Sequence, residues 1–291
     1  MKRHLIGSIH TRERADPPIL RVLSLGAGVQ STTLALMAAE GVIERPDCAI
    51  FADTGWEPRI VYRHLDWLIP LLPFPVHVVT AGNIRRDTLD AVMGIRSRVA
   101  QPPVYVRSPD GSQGMLRRAC TGDYKVAPIR QKIRELAETH PDWRRPSGLA
   151  WVEQWFGISL DEVHRMKMPD VGWIEHRYPL IELGLTRLAC LEWLRTRGYP
   201  EPPKSSCVGC PYHNDAYWRW LRDHSPDEWA QAVEFDHAIR RGLPHVRGEA
   251  YLHRSMVPLD QVDLSTPEER GQITFDFEDG FGNECDGMCG V

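Results

Sequence analysis

The stretch RVLSLGAGVQS (residues 21–31), followed by TTLALM (32–37), decides how the rest of the chain is interpreted. Its apolar part predicts a buried strand, and a helical pattern begins near Ser31. Gly26 and Gly28 lie between the two. A strand, a glycine-rich turn and a helix N-terminus form a cradle for phosphate, because the backbone N–H groups and the helix dipole favour an anion. The turn is not a Walker A loop, since no Gly-Lys-Ser/Thr follows, and it lacks the third glycine of a dinucleotide fingerprint.

Strands and helices alternate on both sides of this turn. Apolar runs predict strands at 19–25, 48–52 and 74–79, and helical periodicity predicts helices at 31–40 and 60–68. The alternation is typical of an α/β fold with a parallel sheet and helices on both faces. Ligands of such sheets bind beyond the carboxyl ends of the strands. We therefore expect the glycine turn and the segment Asp53-Thr-Gly-Trp-Glu57 to face one site.

Later segments give further local predictions. An irregular insertion is expected over 94–116, a turn at 143–148, a strand over 151–158 and an extended segment over 178–182. Helices are expected from Pro128 to about residue 139 and over 186–197, the second with a threonine N-cap. Capping boxes are predicted at Ser159 with Glu162 and at Ser225 with Glu228.

Four parts are predicted along the chain. They are an N-terminal arm over 1–18, an α/β domain over 19–200, a CxxC loop with a helical subdomain over 201–246, and a C-terminal extension with an acidic, cysteine-containing tail over 247–291. No segment approaches the roughly 20 apolar residues that span a bilayer, and the N-terminus has no long apolar core. We therefore expect a cytoplasmic protein without a membrane partner.

Charge is distributed unevenly, although the formal net charge is only −4. This value gives no overall electrostatic signature of nucleic-acid binding. Arginines are concentrated in the middle of the chain, at positions 85, 86, 96, 98, 107, 117 and 118. Arginine binds phosphate well, but a composition biased toward arginine explains most of these residues equally well.

The seven cysteines divide into core residues and candidate ligands. In a cytosolic chain they are more typical of metal ligands or catalysts than of disulfides. Cys48 and Cys190 lie in apolar periodic segments, which predicts that they are core residues. Cys120 lies between Arg118 and Lys125 just before a predicted helix, a setting that lowers the pKa of a thiol.

The pair Cys207-Val-Gly-Cys210 has the spacing with which two thiolates hold one metal ion or cluster iron. Together with Cys120 it gives three thiolates, and Cys285 or Cys289 would supply a fourth. Four is the usual number for a [4Fe–4S] cluster or for structural zinc. His213 follows three residues after Cys210 and is a candidate fourth ligand, although a surface residue is the favoured interpretation.

Several segments, in order, resemble the N-type ATP pyrophosphatases, known as PP-loop proteins, and the phosphoadenosine phosphosulfate (PAPS) reductase superfamily. SLGAGVQS (24–31) resembles the PP-loop, and FADTGWE (51–57) resembles the superfamily's Asp-Thr-Gly segment. LRRACTGDYKVAP (116–128) is similar to its Arg…Cys-Cys…Lys-Val-x-Pro segment, and YPLIE (178–182) then precedes PKSSCVGCP (203–211). The resemblance implies a Rossmann-like sheet of the adenine nucleotide α-hydrolase type, in which 19–200 is a PP-loop nucleotide-binding domain.

The chain departs from these families at three places. Val29-Gln30 stand where PP-loop ATPases usually carry a Lys-Asp pair or a similar one. Cys120-Thr121 stand where iron–sulfur adenylylsulfate reductases have two adjacent cysteines, so the cysteine pattern is closer to the DNA phosphorothioation sulfurtransferase branch. The tail ECDGMCGV (284–291) loosely resembles the Glu-Cys-Gly-x-His motif of PAPS reductases.

The resemblance implies an enzyme that uses ATP and Mg²⁺ to adenylylate a substrate, with sulfur transfer assisted by an iron–sulfur cluster. The residues expected to act in catalysis are Lys125, Arg118 and Asp53. Those expected to bind the nucleotide are Ser24, Gly26, Gly28, Gln30, Ser31, Asp53, Thr54, Gly55 and Arg165. Those expected to bind the metal centre, a [4Fe–4S] cluster or alternatively zinc, are Cys120, Cys207, Cys210, Cys285 and Cys289.

Two other functions remain open at this stage. In a PAPS reductase-like enzyme, Cys285 or Cys289 would attack the sulfonate sulfur of an adenylylated sulfate. In a nucleotide-sensing module, the cysteines would hold structural zinc beside a degenerate nucleotide pocket. The expected partners are an adenine nucleotide, a sulfur donor or thiol reductant, and an acceptor that is a tRNA, a DNA or a small molecule.

Overall fold

The computed structural model describes residues 18–140, 152–266 and 269–270. Its strands are β1 (Leu20–Ser24), β2 (Cys48–Asp53), β3 (Val76–Thr80), β4 (Tyr105–Arg107), β5 (Gln113–Met115), β6 (Val152–Phe156), β7 (Ile174–Arg177) and β8 (Glu249–Tyr251). Its helices are α1 (Val29–Ala39), α2 (Arg59–Leu68), α3 (Ile84–Val92), α4 (Ala127–Glu138), α5 (Pro179–Glu182), α6 (Arg187–Thr196), α7 (Asp215–His224) and α8 (Pro226–Ile239).

The central sheet has five parallel strands in the order β3-β2-β1-β6-β7. Side chains alternate between its faces, as the pleat of a strand requires. Leu23 packs on one face with α1, α2, α5 and α6, whereas Val22 packs on the other face with α4. The predicted parallel sheet with helices on both faces is therefore confirmed.

A second core lies beside the sheet. It is built from α3, α7, α8 and a three-stranded antiparallel sheet in the order β5-β4-β8. Trp218 and Phe235 are fully buried in it. Trp56, which follows β2, and Tyr124, which precedes α4, also belong to this core, so the two cores share segments of chain.

Several local predictions are wrong. Residues 94–116 are not wholly irregular, because they contain β4 and β5. Residues 178–182 are not extended, because Pro179 opens α5 and its fixed φ suits the first turn of a helix. His213 is not a surface residue, since only 5% of it is exposed.

Neither predicted capping box is present. The Ser159 side chain caps no backbone N–H, and the carboxylate of Glu162 contacts Gln30 and Arg165 instead. At the other box, the Ser225 amide already donates to Leu221 as the last bond of α7, so Glu228 cannot accept it. Thr186, by contrast, caps α6 as predicted, with its Oγ1 accepting from the Ala189 amide at 3.2 Å.

Part of the sequence-based interpretation lies outside the described residues: the turn at 143–148, almost all of the N-terminal arm and most of the C-terminal tail. Among the helices of the described part of the chain, none is long and apolar enough to cross a membrane.

Candidate functional site

The strand order reverses between β1 and β6, and a cleft of about 920 Å³, including its open mouth, lies at that point. Chain segments that follow the two strands form its walls, Ser24 to Ser31 after β1 and Phe156 to Ile158 after β6. The crevice at such a switch point is where open α/β sheets bind their ligands. The predicted cradle therefore borders this cleft, and we call the cavity the switch-point cleft.

The glycine turn is held by two serine side chains, one from the start of α1 and one from a distant segment. The amide of Gly26 donates to Ser31 Oγ at 3.2 Å, and Ser205 Oγ donates to the carbonyl of Gly26. Ala27 has a φ of 59°, a conformation that side chains rarely adopt. Gly28 precedes α1 and offers no side-chain cap, so the first N–H groups of the helix remain available to a ligand.

Gly157 allows the end of β6 to approach this turn. A Cβ atom at this position would lie 2.7 Å from the Ser31 amide nitrogen and 2.8 Å from the Ser31 Cα. Real Cβ atoms do not approach backbone this closely. The close approach keeps the first turn of α1 against the wall of the cleft formed by β6.

A buried carboxylate positions two residues of the predicted nucleotide site. Gln30 Nε2 donates to Glu162 Oε2 at 3.1 Å and lies 3.4 Å from Ser159 Oγ. The other oxygen of Glu162 accepts from Arg165. Arg165 Nε is buried without a hydrogen-bond partner among the described residues. Gln30 and Arg165 thus both line the cleft, oriented by a glutamate that the sequence analysis assigned to a capping box.

The side chains lining the cleft carry a net positive charge. Lys125, Arg165, Arg187 and Lys204 line it, and Glu162 is the one acid among the described lining residues. A concave site with this balance favours a polyanion. Arg187 and Lys204 were not among the predicted site residues, although Lys204 lies in segment 203–211, one of the segments that carry the resemblance.

A second cavity of about 460 Å³, including open space, brings the three predicted cysteine ligands of the described chain to one place. Cys120, Cys207 and Cys210 all line it, together with Arg118 and Lys125. Most of its other lining residues are apolar or aromatic: Trp56, Ile84, Pro102, Pro103, Pro211 and Tyr212. The Arg118 guanidinium lies 5.7 Å from the centre of the Tyr212 ring. We call this cavity the cysteine pocket.

Lys125 lines both cavities and is paired with a buried acid. Its Nζ lies 3.4 Å from Glu57 Oε1, and the Glu57 side chain is only 1% exposed. Thr54 Oγ1 donates to the same oxygen at 3.0 Å and lies 3.1 Å from Cys207 Sγ. Glu57 therefore links Lys125 to the thiol of the cysteine pocket.

The turn between the two cysteines fits tightly against Trp56. A Cβ on Gly209 would lie 2.1 Å from that indole ring. His213 anchors the other end of the turn, because its Nε2 donates to the Cys207 carbonyl at 2.9 Å. Burial lowers the pKa of His213 to about 3, so the ring is neutral. His213 supports the cysteine turn through this bond to the backbone.

The remaining predicted residues lie around the two cavities. Asp53 Oδ1 accepts hydrogen bonds from the Gly55 amide at 2.7 Å and from the Tyr62 hydroxyl at 2.8 Å. Asp53 is not among the described residues that line either cavity. Gly55 has a φ of 71° and forms the turn, whereas Thr54 lines the cysteine pocket. Ser24 lines the cleft and accepts from Gln154. The expectation that segment 53–57 and the glycine turn share one cavity is replaced by two adjoining cavities.

Within the described residues, no three His, Cys, Asp or Glu side chains are arranged so as to hold a metal ion. The three cysteines nevertheless share one pocket, and thiols are the donors that iron–sulfur clusters and zinc use. Cys285 and Cys289 lie outside the described residues. Cys48 and Cys190 are buried in the core as predicted, and burial raises the pKa of each thiol to about 12.

Comparison with solved structures finds a likeness to the crystal structure of phosphoadenylyl-sulfate (PAPS) reductase from Candida auris in complex with phosphate. The identity is 11%, the match covers 63% of this chain and 75% of that chain, and the TM-score is 0.41. No protein-family model matches the chain, and no curated protein matches it. The proposed function therefore rests on the geometry of the site.

Proposed function

We propose that the chain is a PP-loop-like enzyme that binds ATP in the switch-point cleft and transfers its adenylyl group to an acceptor, releasing pyrophosphate. The observation that supports this most strongly is the composition of that cleft. A glycine turn and a helix N-terminus meet Lys125, Arg165, Arg187 and Lys204 at the switch point of a parallel sheet. This combination of cations and backbone N–H groups suits the negative charge of a nucleoside triphosphate.

The chemistry requires positioning and charge neutralisation. An oxygen of the acceptor attacks the α-phosphorus, the bond from that phosphorus to the bridging oxygen breaks, and pyrophosphate leaves with the electron pair. The N–H groups at the start of α1 and the cations of the cleft would hold the leaving pyrophosphate, with Mg²⁺ entering on the nucleotide. Glu162 would keep Arg165 and Gln30 in place during this step.

The cysteine pocket supports a subsequent sulfur transfer. In that step a sulfur nucleophile from a donor displaces AMP from the adenylylated acceptor. Cys120, Cys207 and Cys210 would hold an iron–sulfur cluster, which when bound supplies an iron site able to carry or deliver sulfur. Lys125 lies on the wall shared with the cleft, so the two steps would take place side by side.

The adenylyl-transfer step is tested with ATP labelled at the α-phosphate, Mg²⁺, and tRNA, single-stranded DNA or small molecules as acceptors. We expect labelled AMP or an adenylylated acceptor together with an equal amount of pyrophosphate. Lys204→Met should reduce the rate at least tenfold, because a charged contact to phosphate contributes about 1.5–3 kcal/mol. Lys132 on α4 pairs with Glu135 and is not among the described residues that line either cavity, so Lys132→Met is the matched control. Formation of ADP and phosphate, or no turnover with any acceptor, contradicts the proposal.

The metal centre is tested by metal and sulfide analysis of anaerobically purified protein. We expect iron and sulfide, and each of Cys120→Ser, Cys207→Ser and Cys210→Ser should lower the iron content. Cys48→Ala removes a core cysteine and should leave the iron unchanged. A colourless protein that contains zinc would contradict the sulfur-transfer step and favour a nucleotide-sensing module.

A further inference from the structure

One face of the central sheet is covered unevenly. Helix α4 packs over β1, β2 and β3 on this face. On β6 and β7 the same face first presents Val152 and Ile174, which pack with the α4 core, and then Gln154 and His176, where a covered parallel strand would carry aliphatic residues. A cavity of about 800 Å³, including its open mouth, lies there. We call it the β6–β7 cavity.

This cavity adjoins the switch-point cleft. Ile129 of α4 and Phe156 at the end of β6 line both cavities. A group bound in the β6–β7 cavity would therefore lie next to a nucleotide held by the glycine turn.

The floor of the cavity offers hydrogen-bond acceptors. Gln154 Nε2 donates to Ser24 Oγ at 2.8 Å, so the amide oxygen of Gln154 is left as an acceptor. His176 Nδ1 donates to the Lys167 carbonyl at 2.8 Å, because a carbonyl oxygen only accepts. Burial lowers the pKa of His176, so Nε2 carries a lone pair, and that atom has no partner among the described residues. A ligand that fits this floor carries N–H donors.

Aromatic, charged and aliphatic side chains complete the cavity. The His176 ring lies 4.7 Å from the Phe156 ring, measured between centroids. The Tyr178 hydroxyl fixes the Lys167 backbone at the mouth, accepting from its amide at 2.9 Å and donating to its carbonyl at 2.7 Å. The Lys167 ammonium is exposed and forms no ion pair with a described residue, whereas Arg130 is paired with Asp170.

We propose that the β6–β7 cavity binds a nucleobase with an exocyclic amine, its phosphate contacting Lys167, as the acceptor side of the adenylyl-transfer site. This assignment rests on the proposed function. The aromatic rings contact the base. The Gln154 amide oxygen and His176 Nε2 accept hydrogen bonds from its amine, and the Lys167 ammonium neutralises its phosphate. A nucleobase linked to a phosphate is present both in a free mononucleotide and in a single-stranded nucleic acid, so both sources are tested.

The test measures binding of CMP, UMP and a short single-stranded oligodeoxycytidine while α,β-methylene-ATP saturates the cleft. We expect CMP to bind about tenfold more tightly than UMP, which lacks the amine. Lys167→Ala should weaken CMP binding about tenfold without changing the affinity for the ATP analogue. His176→Phe keeps a ring but removes the acceptor, so it should abolish the preference for CMP over UMP. Arg195→Ala on α6, across the sheet, is the control.

The outcomes separate the two proposals. Tighter binding of the oligonucleotide than of CMP assigns the cavity to a nucleic-acid acceptor, and the reverse assigns it to a mononucleotide. CMP binding that is absent, or unchanged in both variants, overturns the assignment. If the variants weaken binding of the ATP analogue instead of binding of CMP, the cavity belongs to the ATP site, and the assignment is also overturned. If the unaltered chain binds CMP but not the ATP analogue, the cavity is supported and the proposed function fails.

Discussion

At the scale of single residues, Gly209 shows how closely the cysteine turn is fitted to its surroundings. The Trp56 ring beneath it is held by a hydrogen bond from its Nε1 to Gln231 Oε1 at 3.2 Å and lies 4.8 Å from the Phe235 ring. The ring therefore has little room to move away from an added methyl group. The identity of the residue at position 209 is set by this contact as much as by the spacing of the two cysteines.

Gly209→Ala should lower the free energy of unfolding by about 1–3 kcal/mol, the usual cost of overpacking. It should also reduce the metal content of purified protein, because the turn that carries Cys207 and Cys210 must shift. Gly114→Ala is the matched control, since a Cβ there meets no atom within 4 Å. Denaturant unfolding and metal analysis measure both effects. Equal stability of the two variants would show that Trp56 can move aside.

His64 gives a prediction about acid stability. It is 7% exposed, its Nε2 lies 2.9 Å from Thr32 Oγ1, and burial lowers its pKa from 6.5 to about 4. Between these values the unfolded chain binds a proton that the folded chain does not, so stability falls as the pH falls below about 6.5.

Lowering the pH from about 7 to about 5 should therefore cost about 2 kcal/mol of stability through His64. His64→Gln removes the titrating group, so its free energy of unfolding should depend less steeply on pH over this window. Urea unfolding at several pH values measures the difference. If the free energy of unfolding depends on pH with the same slope in both proteins, His64 titrates alike in the folded and unfolded states.

Several residues that the sequence singled out because their type carries chemistry lie at the two cavities. Gln30, Ser31, Arg165 and the three described cysteines all line one or the other. Glu162 was misassigned because a glutamate three residues after a serine matches a capping box equally well. Its contact with Gln30 crosses 132 positions of sequence, and no local pattern encodes such a contact.

At the scale of elements, the glycine turn depends on a strand far from it in sequence. The end of β6 reaches the first turn of α1 only because position 157 has no side chain. Strands β1, β2 and β6 were predictable, since apolar residues make up most of the segments 19–25, 48–52 and 151–158. Strands β4, β5 and β8 were not, because each has three residues and is defined by its pairing.

Gly157→Ala should weaken ATP binding about tenfold, because the added methyl group displaces Ser31 and the N–H groups of α1. Equilibrium binding of α,β-methylene-ATP measures the affinity. Gly114→Ala again serves as the control, and it should bind the analogue like the unaltered chain. Unchanged affinity in Gly157→Ala would mean that the glycine turn does not contact the nucleotide.

At the scale of the whole molecule, two cores are joined by shared chain. Leu34 is fully buried against the central sheet, and Phe235 is fully buried in the second core. Trp56 and Tyr124 connect the two, since each belongs to the second core but lies directly beside an element of the first. The sequence did not reveal this arrangement, because it depends on pairing between segments more than 140 positions apart, such as β4 with β8.

We expect the described part of the chain to unfold in one cooperative transition. Phe235→Ala and Leu34→Ala should each lower the free energy of unfolding, by about 3–5 and 2–5 kcal/mol respectively, and each should shift the same transition. Circular dichroism and tryptophan fluorescence should then give coincident curves. Two separated transitions, with each variant moving only one of them, would show that the cores fold independently.

The segment 203–211 has a consequence for how the chain can vary. Ser205 is bonded to the Gly26 carbonyl, and Cys207, two residues later, lines the other cavity. A two-residue spacing therefore helps to set the distance between the anion cradle and Cys207, together with the packing of the cysteine turn against Trp56. Insertion of one residue between positions 205 and 207 would move Cys207 out of register with the glycine turn, and in the proposed reaction it would uncouple sulfur transfer from adenylyl transfer.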